Sequence, residues 1–125
     1  MLKAEGRSWP GRDKVAGAVW ITRQAVTNRP LVAALREHLD DGEAETIALA
    51  VADSPPFILM DEKEGRHTAQ RLGFKTVGVV GVLIEARSHG LITRVSPLLD
   101  RLRREAGFFL SDSVVQAACS FCGEA

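Results

Sequence analysis

The chain has 125 residues, 46% apolar and 26% charged, the size and make-up of one soluble core rather than two. Lys and Arg total 16 and Asp and Glu total 16, so no global basic field draws the protein to nucleic acid. That leaves room for a local basic patch, or for a site that carries its own positive charge as a metal ion. No apolar run reaches the length of a membrane span, and Met1 to Gly11 contains no apolar signal core. A cytoplasmic protein without a membrane partner is the expectation.

In chain order, the first apolar run is β-rich, around Val19 to Thr22 in "AVWITRQAV". "RPLVAALREHL" follows, with Leu31, Leu35 and Leu39 on one helical stripe and Pro30 near its start. A second helix is expected from about Gly42 to Ala52, ended by Ser54 and two prolines that cannot continue it. "FILM", residues 57–60, is too short and too apolar for a surface helix after that break and is expected as a buried strand. "KEGRHTAQRLG" is a helix closed by Gly73, and Lys75 to Val80 is a β-branched strand. "GVLIEARSHG" is a helix ending at Gly90. "SPLLDRLRREAG" is a helix with Ser96 as its cap, Pro97 at its first position and Gly107 after its end. "SDSVVQAACSFC" is a last helix capped by Ser111. Three single strands alternating with helices define an α/β class with a narrow parallel sheet.

Asp61 and Glu62 end the "FILM" strand at once, and ligands of open parallel sheets sit beyond the carboxyl ends of strands. The preceding helix runs the other way. About ten helical residues span roughly 15 Å, and four strand residues cover roughly 13 Å, which brings Glu43 level with Asp61. Glu43 also lies four residues before Ile47 and eight before Val51, an apolar stripe facing the sheet. Carboxylates gathered at one edge repel unless a cation neutralises them, and a hard divalent ion suits such oxygens. Local structure offers a second account. Asp40 and Glu43 have the spacing of a capping box, and Asp61 or Glu62 can cap the next helix.

These residues resemble a known pattern. "GEAETIALA" followed by "ILMDEKEGRHTAQRLGFKTVGVVGVLIEARSHGLI" is similar to the PIN-domain superfamily, in the branch of nucleic-acid-binding proteins related to VapC-type toxin ribonucleases. "SPLLDRLRREAGFFLSD" and "EGRSWPGRDKVAGAVWI" extend the likeness to roughly residues 5–118. The resemblance implies a PIN-like three-layer α/β/α fold, an acidic cluster at one sheet edge that binds Mg²⁺ or Mn²⁺, and cleavage of RNA. It assigns the metal-binding acids to Glu43 and Asp61, with Glu62 as an alternative in the catalytic set because the strand-end register can slip by one. The family's opening strand, with its first acidic ligand, has no counterpart in this sequence. The expectation is therefore a single truncated domain, residues 1–125, with three accounts open: a decayed copy, the product of a late start codon, or a protomer that completes its sheet as a homodimer; an antitoxin protein is the other partner the resemblance implies.

Lys63 and Arg66 follow the acids, as phosphate contacts on one reading and as partners of Glu62 and Glu64 on the other. Arg101, Arg103 and Arg104 are read as a solvated helix face. Asp112 is read with its helix cap and not as catalytic. Gly78 and Gly81 fit a strand-to-helix turn. Cys119 and Cys122 are expected as two reduced cysteines near a helix end, since zinc wants four ligands and the histidines show no metal spacing. The rival to a ribonuclease is a non-catalytic PIN scaffold that binds partners. A small-molecule enzyme is less well supported, because there is no Gly-rich phosphate loop and no nucleophile–base set.

Overall fold

The computed structural model describes residues 12–124, with seven helices and two short strands among them. Contacts divide the chain between Thr76 and Val77 into two units.

In the first unit, α1 (Arg12–Ala16) closes at Gly17, whose N–H donates to the Asp13 carbonyl at 2.9 Å. The strand expected at Val19 to Thr22 does not form. Ala18 and Ile21 donate to carbonyls three residues back, so the backbone is spent on turns, and Val19 and Trp20 are left exposed. Strand propensity without a neighbouring strand is not enough. Asn28 caps α2 (Arg29–Leu35) by accepting from the Leu31 N–H, with Pro30 in the first turn, where a missing N–H costs nothing. This helix is shorter than its apolar stripe. Leu39 lies beyond it yet is buried, and within the helix Val32, between the leucines, is the buried side chain.

The α3 helix (Asp41–Asp53) starts at a complete capping box. Asp40 Oδ1 accepts from the Glu43 N–H at 2.8 Å, and Glu43 Oε1 accepts from the Asp40 N–H at 3.1 Å. Its buried face is Ala44, Ile47, Ala48 and Ala50, small residues around one fully enclosed isoleucine. Val51, expected on that face, is 45% exposed in the last turn of the helix, and Glu43 in the first turn is half-buried. Ser54 ends the helix in the left-handed conformation at φ 50°, and Pro55 and Pro56 follow.

The sheet has two strands, not three: β1 (Ile58–Leu59) and β2 (Thr76–Val77), paired in parallel, with the Ile58 N–H donating to the Lys75 carbonyl at 2.8 Å. Both strands are shorter than their β-branched runs. The run after Lys75 breaks at Gly78, and Val79 already belongs to the next helix. Ile58 and Met60 point inward, while Phe57 and Leu59 are exposed. Between the strands, α4 (Lys63–Arg71) buries Gly65 and Ala69, and the chain turns at Gly73, whose φ of 91° favours glycine.

In the second unit, α5 (Val79–Ser88), α6 (Ser96–Arg104) and α7 (Asp112–Phe121) surround Val95, Leu99, Leu110, Ala118 and Cys122. Val80, Leu83 and Ile84 pack on this cluster, a helical spacing that overrides the strand-like look of "VGVVGV". Ser111 caps α7 as expected, accepting from the Val114 N–H. Ser96 does not cap α6; it is the first helical residue, after Val95. The cap arrives from far along the chain. Glu124, turned back at Gly123, accepts from the N–H groups of Val95 at 2.9 Å and Ser96 at 3.1 Å. Arg94 and Arg87 flank the same carboxylate at 3.4 Å and 3.6 Å. No helix among the described residues is long and apolar enough to cross a membrane.

Candidate functional site

Three chain segments meet where β1 ends: the first turn of α3, the residues after Met60, and the first turn of α4. Gly65 shows the meeting most directly. A β-carbon there would lie 2.7 Å from Met60 Sδ and 3.2 Å from Glu43 Oε2. The carboxylate in the first turn of α3 and the inward side chain that follows β1 therefore share one small space.

Glu43 is the most perturbed acid of this group. Burial raises its pKa above the ordinary carboxyl value. The Asp40 N–H opposes that rise, and the negative charges of Asp40 and Glu62 add to it. Its two oxygens have different duties: Oε1 accepts from the Asp40 N–H, and Oε2 faces Gly65. The capping role and the site role thus coexist in one side chain.

Glu62 occupies the N-cap position of α4 without a side-chain cap bond, so its carboxylate is not committed to the helix end. It is the strand-end acid whose charge reaches Glu43. Asp61, the neighbour assigned by resemblance, is exposed. Lys63 is exposed and Arg66 half-buried, and among the described residues neither forms an ion pair, so the helix-pair reading of these two cations does not hold.

The donor chemistry suits a hard divalent cation: carboxylate oxygens, one of which has its pKa raised by burial and then by its acidic neighbours. The number of donors is small. Among the described residues no three His, Cys, Asp or Glu side chains stand close enough to hold an ion together. Magnesium is commonly bound by one or two carboxylates with the rest of its shell water, so two acids fit that mode.

The other singled-out residues serve structure. Arg103 binds the Leu110 carbonyl and Asp112, Arg104 pairs with Asp100, and Arg101 with Glu105. Cys119 and Cys122 are free thiols packed in or against the second core. Sequence reasoning missed Gly65 and Glu124. A lone glycine inside a helical pattern was the available sign for the first. Nothing local marked the second, whose partners lie 28 and 29 residues away.

The model of a PIN-domain family matches residues 2–124, and the chain belongs to that family. A PIN domain is a nuclease-type fold, and PIN domains generally depend on divalent metal. No curated protein and no solved structure matches the chain.

Proposed function

We propose that the protein is a metal-dependent endoribonuclease of the PIN type, the toxin half of a toxin–antitoxin pair, with Glu43 and Asp61 holding Mg²⁺ or Mn²⁺ and Glu62 beside them. The observation that carries this reading is the approach of the Glu43 carboxylate to the end of β1, where Glu62 adds its charge. When bound, the cation lowers the pKa of a coordinated water and stabilises the phosphorane-like charge of an RNA phosphodiester. Glu43 is held in place by its bond to the Asp40 N–H, which leaves Oε2 for the ion. Glu62, uncommitted to a cap, is positioned to take the proton from an attacking water. Lys63, which opens α4, and Arg66, one turn in, form no ion pair among the described residues and supply positive charge for the flanking phosphates. Association into a homodimer belongs to the same reading, because among the described residues both strands are sheet edges, and Phe57 and Leu59 are exposed at one of them.

The test is Mn²⁺-dependent cleavage of RNA by the wild type and by Asp61→Ala. Cleavage that disappears with the substitution supports the assignment; unchanged cleavage removes Asp61 from it. The scarcity of converging donors favours one second reading, a PIN scaffold that binds partners without turnover. That reading entails no saturable binding of Mn²⁺.

A further inference from the structure

Cys119 and Cys122 stand three residues apart at the end of α7, and both are free thiols. That spacing in an α-helix separates the Cα atoms by about 5 Å, inside the range of about 4.4–6.8 Å that a disulfide accepts. The β-carbons of such a pair lie about 5–6 Å apart, and a bridge needs about 3.5–4.5 Å. The turn that must tighten to close the bridge is the last of its helix. Cys122 is the C-cap of α7, at φ −86° and ψ 3°, and has already left the regular helix. Exposure separates the two thiols. Cys119 is half-buried, open to a small reagent, while Cys122 is 6% exposed and packed in the second core.

The same turn carries Glu124. Gly123 takes a φ of 72°, and the Glu124 N–H donates to the Cys119 carbonyl at 2.7 Å. The Glu124 carboxylate then caps α6 through the N–H groups of Val95 and Ser96. One donor in that clasp falls short: Arg87 Nε is buried without a hydrogen bond among the described residues, 3.6 Å from Glu124 Oε2. Drawing Cys122 toward Cys119 moves the backbone from which Glu124 reaches α6.

We propose that Cys119 and Cys122 form a thiol–disulfide exchange site for low-molecular-weight disulfides, and that closing the bridge releases the Glu124 cap from α6. The Cys119 thiolate attacks one sulfur of the small disulfide, giving a mixed disulfide and expelling the first thiolate. Cys122, its proton passed to solvent, attacks the Cys119 sulfur and expels the second thiolate, and both leaving thiolates take up protons. Two protein thiols are oxidised to one disulfide, and one small disulfide is reduced to two thiols. A loop this short constrains the unfolded chain little, so the bridge adds little stability to offset a lost charged cap. The cap therefore holds the pair toward the dithiol, and oxidation and capping oppose each other reciprocally. The site lies wholly within the second unit and stands apart from the ribonuclease reading.

The experiment equilibrates the full chain with reduced and oxidised glutathione at graded ratios, quenches with acid, and reads the intact mass. Wild type should lose the mass of two hydrogens, a loss that Cys119→Ser and Cys122→Ser do not show. Glu124→Gln should form the bridge at a glutathione ratio about tenfold more reducing than wild type requires. Arg94→Ala, which removes an exposed partner of the same carboxylate, should shift the ratio the same way by less. Oxidised wild type should melt below the reduced form, and the gap should narrow in Glu124→Gln. A wild type that stays a dithiol in excess oxidised glutathione, stops at one glutathione adduct, or joins two chains overturns the exchange site. A bridge that forms equally well in wild type, Glu124→Gln and Arg94→Ala, or that raises the melting temperature, overturns its link to the cap.

Discussion

Glu43 Oε2 stands 3.2 Å from where a side chain on Gly65 would begin, which ties the opening of α3 to the first turn of α4. Two forces act on Gly65→Ala. Alanine gains about 1 kcal/mol of helix propensity over glycine, while overpacking a filled site costs about 1–3 kcal/mol. Met60, only 6% exposed, has little room to retreat from a contact at 2.7 Å, so crowding wins. Thermal melting should show a loss of stability in Gly65→Ala, and Met60→Ala in the same chain should recover part of it, a non-additivity that unconnected positions would not show.

The Asp40 carboxylate both caps α3 and adds negative charge beside Glu43. Asp40→Ala removes the cap and should cost about 0.5–2 kcal/mol in denaturant unfolding. Asp40→Asn keeps the acceptor and removes the charge, so its stability should stay near that of the wild type. Equal losses in both variants would assign the effect to charge and not to the cap.

Glu43→Gln replaces a half-buried, crowded acid by a neutral group of the same shape. The amide oxygen still accepts from the Asp40 N–H, and repulsion from Asp40 and Glu62 is relieved. The melting temperature at neutral pH should therefore rise above that of the wild type without metal. A fall would mean that the negative charge itself holds the native state together.

Glu124 gives the second unit a pH dependence of defined sign. The Val95 N–H foremost, with the Ser96 N–H, Arg94 and Arg87, holds its carboxyl below the ordinary 4.5 against the opposing effect of burial. A folded-state value depressed in this way contributes stability above the unfolded value and loses it as the pH falls through the folded one. Glu124→Gln should melt lower than the wild type at pH 7, and the difference should shrink as the pH drops below 4.5. A gap that persists into acid would mean that the carboxylate charge is not what the cap supplies.

Leu99 is fully enclosed in the second core. Leu99→Ala should cost about 2–5 kcal/mol by urea unfolding, through lost burial and the cavity left behind. A loss well under 1 kcal/mol would show that the core around Val95 and Leu110 closes over the gap.

Much of this structure was legible in local chemistry. Asp40 and Glu43 spelled a capping box, Ser111 a cap, and Gly73, Gly90 and Gly107 the turns after helices, all with positive φ. These signals are readable because cause and effect lie within four residues. Val19 to Thr22 and Val79–Val80 misled because β-branched composition does not say whether a partner strand is present or a helical face is waiting. Val51 misled because it continues the stripe of Ala44, Ile47 and Ala48 into the last turn of α3, where it is 45% exposed. At the site, the element lengths expected for α3 and β1, about ten and four residues, are 13 and two, so the approach of Glu43 to Met60 across Gly65 is a matter of packing and not of matched lengths. That Glu62 is the acid acting on Glu43, and that Gly65 makes room for the contact, depends on side-chain placement across elements.

The central claim is that the acids at the end of β1 and the start of α3 hold one divalent cation, and calorimetric titration with Mn²⁺ tests it most directly. The account predicts saturable binding by the wild type that Glu43→Gln abolishes while melting as cooperatively as its parent. Heats that never saturate, or identical isotherms for the two proteins, would contradict it.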